Sequence, residues 1–197
     1  MHNVLTQGLL IKLYADIVEL RNNFLLPVNV DASEFKSEDD HLHQGLFLSE
    51  QVELVKADSD VKRVDGLVDS AYVAVGRLVH LGYKNLSKCI ELSPVDVDRI
   101  NTALYLCTHI YGPEMFEKAW QIIHASNLSK ICTTEDDKKA TLSYYKELKV
   151  PCKAYTTPIG WIVKATKDCS IGDDKIPAGK FLKSVSYTKA DLTPLFK

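Results

Sequence analysis

No apolar run in the 197 residues reaches the length of a membrane span, which takes about 20 consecutive apolar residues. Met1-His2-Asn3 does not open a secretory leader. No Cys-x-x-Cys occurs, and Cys89, Cys107, Cys132, Cys152 and Cys169 are odd in number and widely scattered. That spacing suggests neither a zinc site nor a disulfide framework. Reduced thiols in a cytoplasm are expected. An excess of one charge is also missing. The chain sets 24 Lys and Arg against 26 Asp and Glu, a net charge of −2, which gives no electrostatic reason to expect a nucleic-acid partner. Internal repeats and low-complexity segments are absent too. What remains is 46% hydrophobic and 25% charged, an ordinary composition at a length that suits one domain with a sizeable core.

The informative stretch is 42–82, where two carboxylate pairs, Glu50/Glu53 and Asp65/Asp69, fall on two consecutive expected helices. Residues three and four apart share a helical face. Winding Leu42 to Ala57 puts Leu42, Leu46, Phe47, Leu54 and Ala57 on one stripe, with Glu50 and Glu53 inside it. From Val64 to Gly82 the second helix is apolar nearly all round, which predicts burial in a core or against a second subunit. Asp65 and Asp69 share a face there with Tyr72, Val73 and Gly76.

A single acid pair on a helix is usually a solvated face. Two pairs on adjacent apolar faces are a different matter. Two carboxylates about 4 Å apart repel by roughly 4 kcal/mol at an effective dielectric near 20. Four that converge must protonate, spread apart or hold a cation. Oxygen-only ligands suit a hard ion, Mg²⁺ first and Mn²⁺ second. His41 and His43 stand two apart, on different helical faces, and make poor ligands.

The rest of the chain reads as helices and then strands. A first helix is expected over about Val4 to Phe24, ended by Leu26-Pro27, followed by a polar loop from Asp31 to Asp40 with Ser37 as cap. Short and long helices follow at Leu86–Leu92, Val95–Ile110 (opened by Ser93-Pro94), Glu114–Ala125 and Thr141–Leu148. Ser126-Asn127-Leu128-Ser129-Lys130 ends an apolar helix, and residue type alone reads it as a C-cap. From Pro151 the alternation turns to β. A hairpin is expected between Gly160–Ala165 and Lys180–Tyr187, with Asp173 and Asp174 in the turn. The expected architecture is mainly α, a four-helix-bundle-type helical domain over 1–150 with a small β-hairpin appendage over 151–197 packed on it.

The run SEQVELVKA followed by VDGLVDSAYVAVGRLVHLG resembles the all-α nucleoside triphosphate pyrophosphatases, the MazG-like superfamily, and within it the phosphoribosyl-ATP pyrophosphohydrolase-like branch common in viruses of bacteria. Ser126-Asn127-Leu128-Ser129-Lys130 and the tail Gly179-Lys180-Phe181-Leu182-Lys183, Tyr187, Asp191-Leu192 are similar to the same branch, so the likeness runs from about Phe24 to the end. Departures are Ser49 for a glutamate, Gly66 at the earlier acidic position of the second motif, and Ala190 for a proline.

The resemblance implies a Mg²⁺-dependent hydrolase that cleaves nucleoside triphosphates between the α- and β-phosphates, in control of the nucleotide pool. It implies Glu50, Glu53, Asp65 and Asp69 as metal ligands, with Glu50, Glu53 and Asp69 catalytic. Ser126, Asn127, Lys130, Lys183 and Tyr187 become substrate residues, and a homodimer or homotetramer is expected, in the host cytoplasm where the source is a virus. Two other readings stand beside it. One is a catalytically inactive helical module that binds nucleotide or protein. The other is a di-iron bundle, which needs Glu-x-x-His on two helices, whereas this chain offers one, Glu38-x-x-His41, in the acidic lead-in.

Overall fold

The computed structural model describes residues 4–30 and 33–197. Met1-His2-Asn3 and the first two residues of the expected acidic loop, Asp31 and Ala32, lie outside them. Mainly helical, the described chain runs α1 (Gln7–Asn23), α2 (Ser37–Val55), α3 (Asp60–Leu81), α4 (Leu86–Leu92), α5 (Pro94–Tyr111), α6 (Met115–Leu128) and α7 (Glu135–Glu147). Short antiparallel strands follow: β1 (Cys152–Thr157), β2 (Gly160–Ala165), β3 (Cys169–Ile171), β4 (Asp174–Ile176) and β5 (Phe181–Leu182). No described helix is long and apolar enough to cross a membrane.

Two compact units divide the chain. The first takes Met1–Arg21, Pro27–His124 and Asp191–Lys197; the second takes Asn22–Leu26 and Ala125–Ala190. The boundary thus falls after His124, where the sequence reading set it at 150. The reason is local. Ile131, Cys132 and Tyr145 have their apolar side chains in the second unit, so the last helical turn of α6 and all of α7 go with the strands.

In the first unit α3 is the central element. Val64, Val68, Ala71, Val75, Leu78 and Val79 are all buried, so the all-round apolar helix is covered within the chain. Ser59 starts it, its Oγ accepting from Lys62 N, and Gly82 ends it at φ 74°, a left-handed position that glycine takes without strain. α2 packs antiparallel beside it: Leu54 sits at Gly66, Gln51 donates to Ser70 Oγ at 2.7 Å, and His43 meets His80. α5 is tied on through Arg77, which reaches Asp40 of α2 and Asp96 of α5, both at 2.8 Å, with Arg99 also on Asp96. Burial pushes the Asp96 carboxyl above its ordinary value, against the pull of Arg77 and Arg99.

α2 differs from expectation in two ways. It starts earlier than Leu42, and its cap is Lys36 and not Ser37, because the Lys36 N–H donates to Asp39 at 3.0 Å. Its rotation is also different. Leu42 and Leu46 are 60% and 45% exposed, while Phe47, Gln51 and Leu54 face α3 and α5. Gly66 explains the offset. A Cβ there would stand 3.2 Å from Leu54 Cα, so its absence lets α2 seat on Leu54 and Gln51.

In the second unit α7 packs on a sheet of order β1-β2-β5, around Cys132, Tyr145, Val150, Val163, Ala165 and Leu182. The expected hairpin is corrected. β2 turns tightly through Pro158-Ile159 onto β1 and joins the tail over a short stretch, at Val163↔Leu182 and Lys164↔Phe181 and through Ala165, whose N–H donates to Lys180 O and whose carbonyl accepts from Gly179 N. Residues 183–190 are not strand; Val185 N donates to Thr141 Oγ1 and Tyr187 N to Ser184 O. Within the expected turn, β3 and β4 form a ladder of their own, with Asp173 at its tip and Asp174 in β4.

Candidate functional site

The antiparallel seam of α2 and α3 decides where the four carboxylates stand. Gln51 and Leu54 on α2 meet Ser70 and Gly66 on α3. Glu50 and Glu53 each precede a contact residue of α2 by one step, and Asp65 and Asp69 precede those of α3 in the same way. One step is about 100° of rotation, and in an antiparallel right-handed pair the preceding residues of both helices fall on the same side. All four acids therefore line one rim of the seam. Glu50 and Glu53 do not lie at the centre of the core-facing stripe expected for α2: Glu50 is half-buried and Glu53 exposed, while Asp65 and Asp69 of α3 are half-buried. Among the described residues no group of three or more His, Cys, Asp or Glu side chains is gathered closely enough to hold a metal ion. The donor chemistry on the rim is that of a hard cation; the gathering is not present.

The acidic stripe of α3 continues into a polar pair that the sequence did not reveal. Tyr72, three residues past Asp69, has its hydroxyl 2.9 Å from His124 Nδ1 of α6, both buried. His124 Nε2 stands 3.5 Å from Glu19 of α1. Tyr72 also lies against Trp120, with ring centroids 4.9 Å apart, and the Trp120 indole N–H donates to Asp16 at 2.8 Å. Tyr72 was legible on the acid face; His124 was not, since nothing in the spacing links residues 52 positions apart. One turn further on, the Gly76 carbonyl accepts from Arg21 at 3.4 Å. Burial pushes the Arg21 guanidinium down to about 10.

The other predicted residues come together in the second unit. Ser126 Oγ donates to the Tyr187 hydroxyl at 3.3 Å, and Lys183 Nζ lies 4.5 Å over the Tyr187 ring. Lys130 Nζ donates to Asn127 Oδ1 at 2.6 Å. Ser129 ties the cluster to the tail, its Oγ accepting from Thr188 N at 3.0 Å and its carbonyl accepting from Ser184 Oγ at the same distance. The helix continues through Leu128, so Ser126 and Asn127 belong to its last turn. Ser129 Oγ donates to the Ser126 carbonyl of that turn at 2.7 Å.

His41 is exposed and His43 buried, as their spacing implied. His43 Nε2 and His80 Nδ1 are 3.1 Å apart, so one ring must accept and be neutral. Burial first, then Arg21, His80 and Arg77, push His43 down to about 4; His80 is lowered as well. A depressed histidine contributes stability above its unfolded value near 6.5 that is lost as pH falls toward 4. That loss amounts to something on the order of 3 kcal/mol for His43. Urea midpoints measured from pH 7 to 4.5 should fall steeply, and less steeply in His43→Gln.

The cysteines are free thiols, with Cys89, Cys107 and Cys132 buried and Cys152 and Cys169 half-buried. Comparison of the chain with family models, with curated proteins and with solved structures finds no match.

Proposed function

We propose that the chain is a Mg²⁺-dependent nucleoside triphosphate pyrophosphohydrolase of the MazG-like type, with Mn²⁺ as a second metal. Its helical unit would be a four-helix-bundle-type core with acids on the second and third helices. The observation that carries the reading is the rim of the α2–α3 seam, where Glu50, Glu53, Asp65 and Asp69 stand on one side of two packed helices. Those four would hold the metal. Bound Mg²⁺ supplies charge neutralisation for the phosphates and an acidified water. A rim glutamate accepts the proton of the attacking water, and cleavage between the α- and β-phosphates releases monophosphate and pyrophosphate. Tyr72, hydrogen-bonded to His124, fixes the end of the acidic stripe.

A panel of ribo- and deoxyribonucleoside triphosphates assayed for pyrophosphate, with Mg²⁺ and with a chelator, tests the reading. Metal-dependent release from at least one member is expected. None at all would favour an inactive nucleotide- or protein-binding module of the same fold.

In the second unit Lys130 offers phosphate a charge-assisted contact and Asn127 offers a base edge an amide. Lys130→Ala should stay folded and raise KM or lower kcat. A pure cap would lose only a few tenths of a kcal/mol of stability, with unchanged kinetics.

A homodimer or homotetramer is also proposed, on grounds different from those first given. α3 is covered within the chain, whereas Leu48, Val52 and Val55 leave an apolar strip exposed on one side of α2, with Leu42 and Leu46 exposed on another. A strip of that kind suits a second copy. Light scattering at micromolar concentration should give at least twice the mass of one 22.1 kDa chain.

A further inference from the structure

The net charge of −2 conceals a segregation. The first unit carries 12 basic and 19 acidic side chains, and the second carries 12 lysines against 7 acidic residues. Average charge gave no reason to expect a polyanionic partner; the second unit by itself does.

Its sheet has two unlike faces. Ala154, Val163 and Leu182 belong to the face that packs with α7. The pairings Lys153↔Lys164 and Lys164↔Phe181 put these three side chains, with Tyr155, on the other face. Lys153 and Lys164 are directly opposite on neighbouring strands, where like charges repel. The strand positions of this face, 153, 155, 157, 160, 162, 164 and 181, include no carboxylate to relieve them. Thr157 and Ile162 are buried, so the open edge of the face is Lys153 and Tyr155, with Lys164 and Phe181 half-buried beside them. Both ammonium groups instead lean over rings: Lys153 and Lys164 stand 5.5 and 5.6 Å from the Tyr155 centroid, and Lys164 stands 4.6 Å from that of Phe181. Phe181 is held edge-on by Phe24, centroids 4.8 Å apart. Tyr155 is 36% exposed. Burial lowers the Lys164 ammonium, the one shared by both rings.

We propose that the open edge of this face binds single-stranded nucleic acid without sequence preference, bases stacking on Tyr155 and against the exposed part of Phe181 while Lys153 and Lys164 move to phosphates. Alternating anions and flat π surfaces match both halves of the arrangement, since every base has a face to stack and every linkage a charge. An acidic peptide or an anionic lipid surface would engage the lysines and leave the rings without a partner.

The test uses the full chain in chelator-containing buffer, so that no hydrolysis intervenes, with a fluorescein-labelled oligothymidylate of about ten nucleotides read by anisotropy. Binding at low salt is expected, with log affinity falling against log salt at a slope of about −1.4 for two phosphate contacts. Tyr155→Ala, at an exposed ring, should weaken binding about tenfold, and Tyr155→Phe should restore it. Lys153→Gln should flatten the slope by about 0.7. Heparin, which has charge and no bases, should bind Tyr155→Ala as well as it binds the parent. No binding at low salt overturns the proposal. So does an unchanged affinity in Tyr155→Ala, which would make the face a general polyanion surface.

Discussion

Asp69→Asn is expected to abolish pyrophosphate release, with a loss on the order of a thousandfold or more, and to leave the far-ultraviolet helical signal unchanged. The amide matches the carboxylate in shape, so the packing of α3 around it survives while its charge does not. Asp69 is chosen because it is half-buried on the rim, one step from the Ser70 contact and one turn before Tyr72. Glu53→Gln, on the exposed side of α2, should act in the same direction. Glu91→Gln, an exposed acid of α4 away from the seam, should be silent. Full turnover in Asp69→Asn would remove the metal-site reading, even with metal dependence retained elsewhere.

The second large effect belongs to stability. Gly160 opens β2 at φ 151°, and a Cβ there would overlap the Cys132 carbonyl oxygen. That oxygen is fixed, because Cys132 and Trp161 exchange two backbone hydrogen bonds of 2.8 Å. Gly160→Ala therefore combines a backbone clash with a disfavoured φ, and is expected to cost about 4 kcal/mol. The chain has two tryptophans, Trp120 in the first unit and Trp161 in the second. In a Trp120→Phe background the denaturant midpoint read from Trp161 should fall sharply. Gly172→Ala is the control: its Cβ meets nothing within 4 Å at φ 58°, so only the strain of a left-handed alanine remains, about 1 kcal/mol.

The helices were legible where the signal was local. The apolar 3.6-residue period of α3 and the Ser93-Pro94 start of α5 are written in consecutive residues, and α4 has the bounds expected for it. The Thr134 cap, with Glu135, Asp136 and Asp137 behind it, is equally local, and α7 starts six residues before the expected Thr141. What could not be read was relative rotation. Leu42 and Leu46 continue the apolar stripe of α2 as well as Phe47 and Leu54 do, and only the empty Cβ position of Gly66 on another helix selects between them. The β pairing was legible in part. β2 does pair antiparallel with the tail, at Phe181 and Leu182, but its longer partner is β1, whose composition CKAYTT gives little strand signal. Of the candidate site, both acid pairs and the Ser126–Lys130 cluster are written in local spacing, whereas the Tyr72–His124 contact and the charge carried by each unit needed the fold.

The division of the chain has a consequence for its folding. Each unit is assembled from separated stretches: Phe24 belongs with Phe181, and Asp191–Lys197 belongs with the unit that holds α1 to α5. Folding must therefore close loops longer than a hundred residues, which places these pairings among the slow, high-contact-order events. Until those loops close, Phe24 lacks the ring it packs against, while the contacts among α2, α3 and α5, closer in sequence, are free to form first.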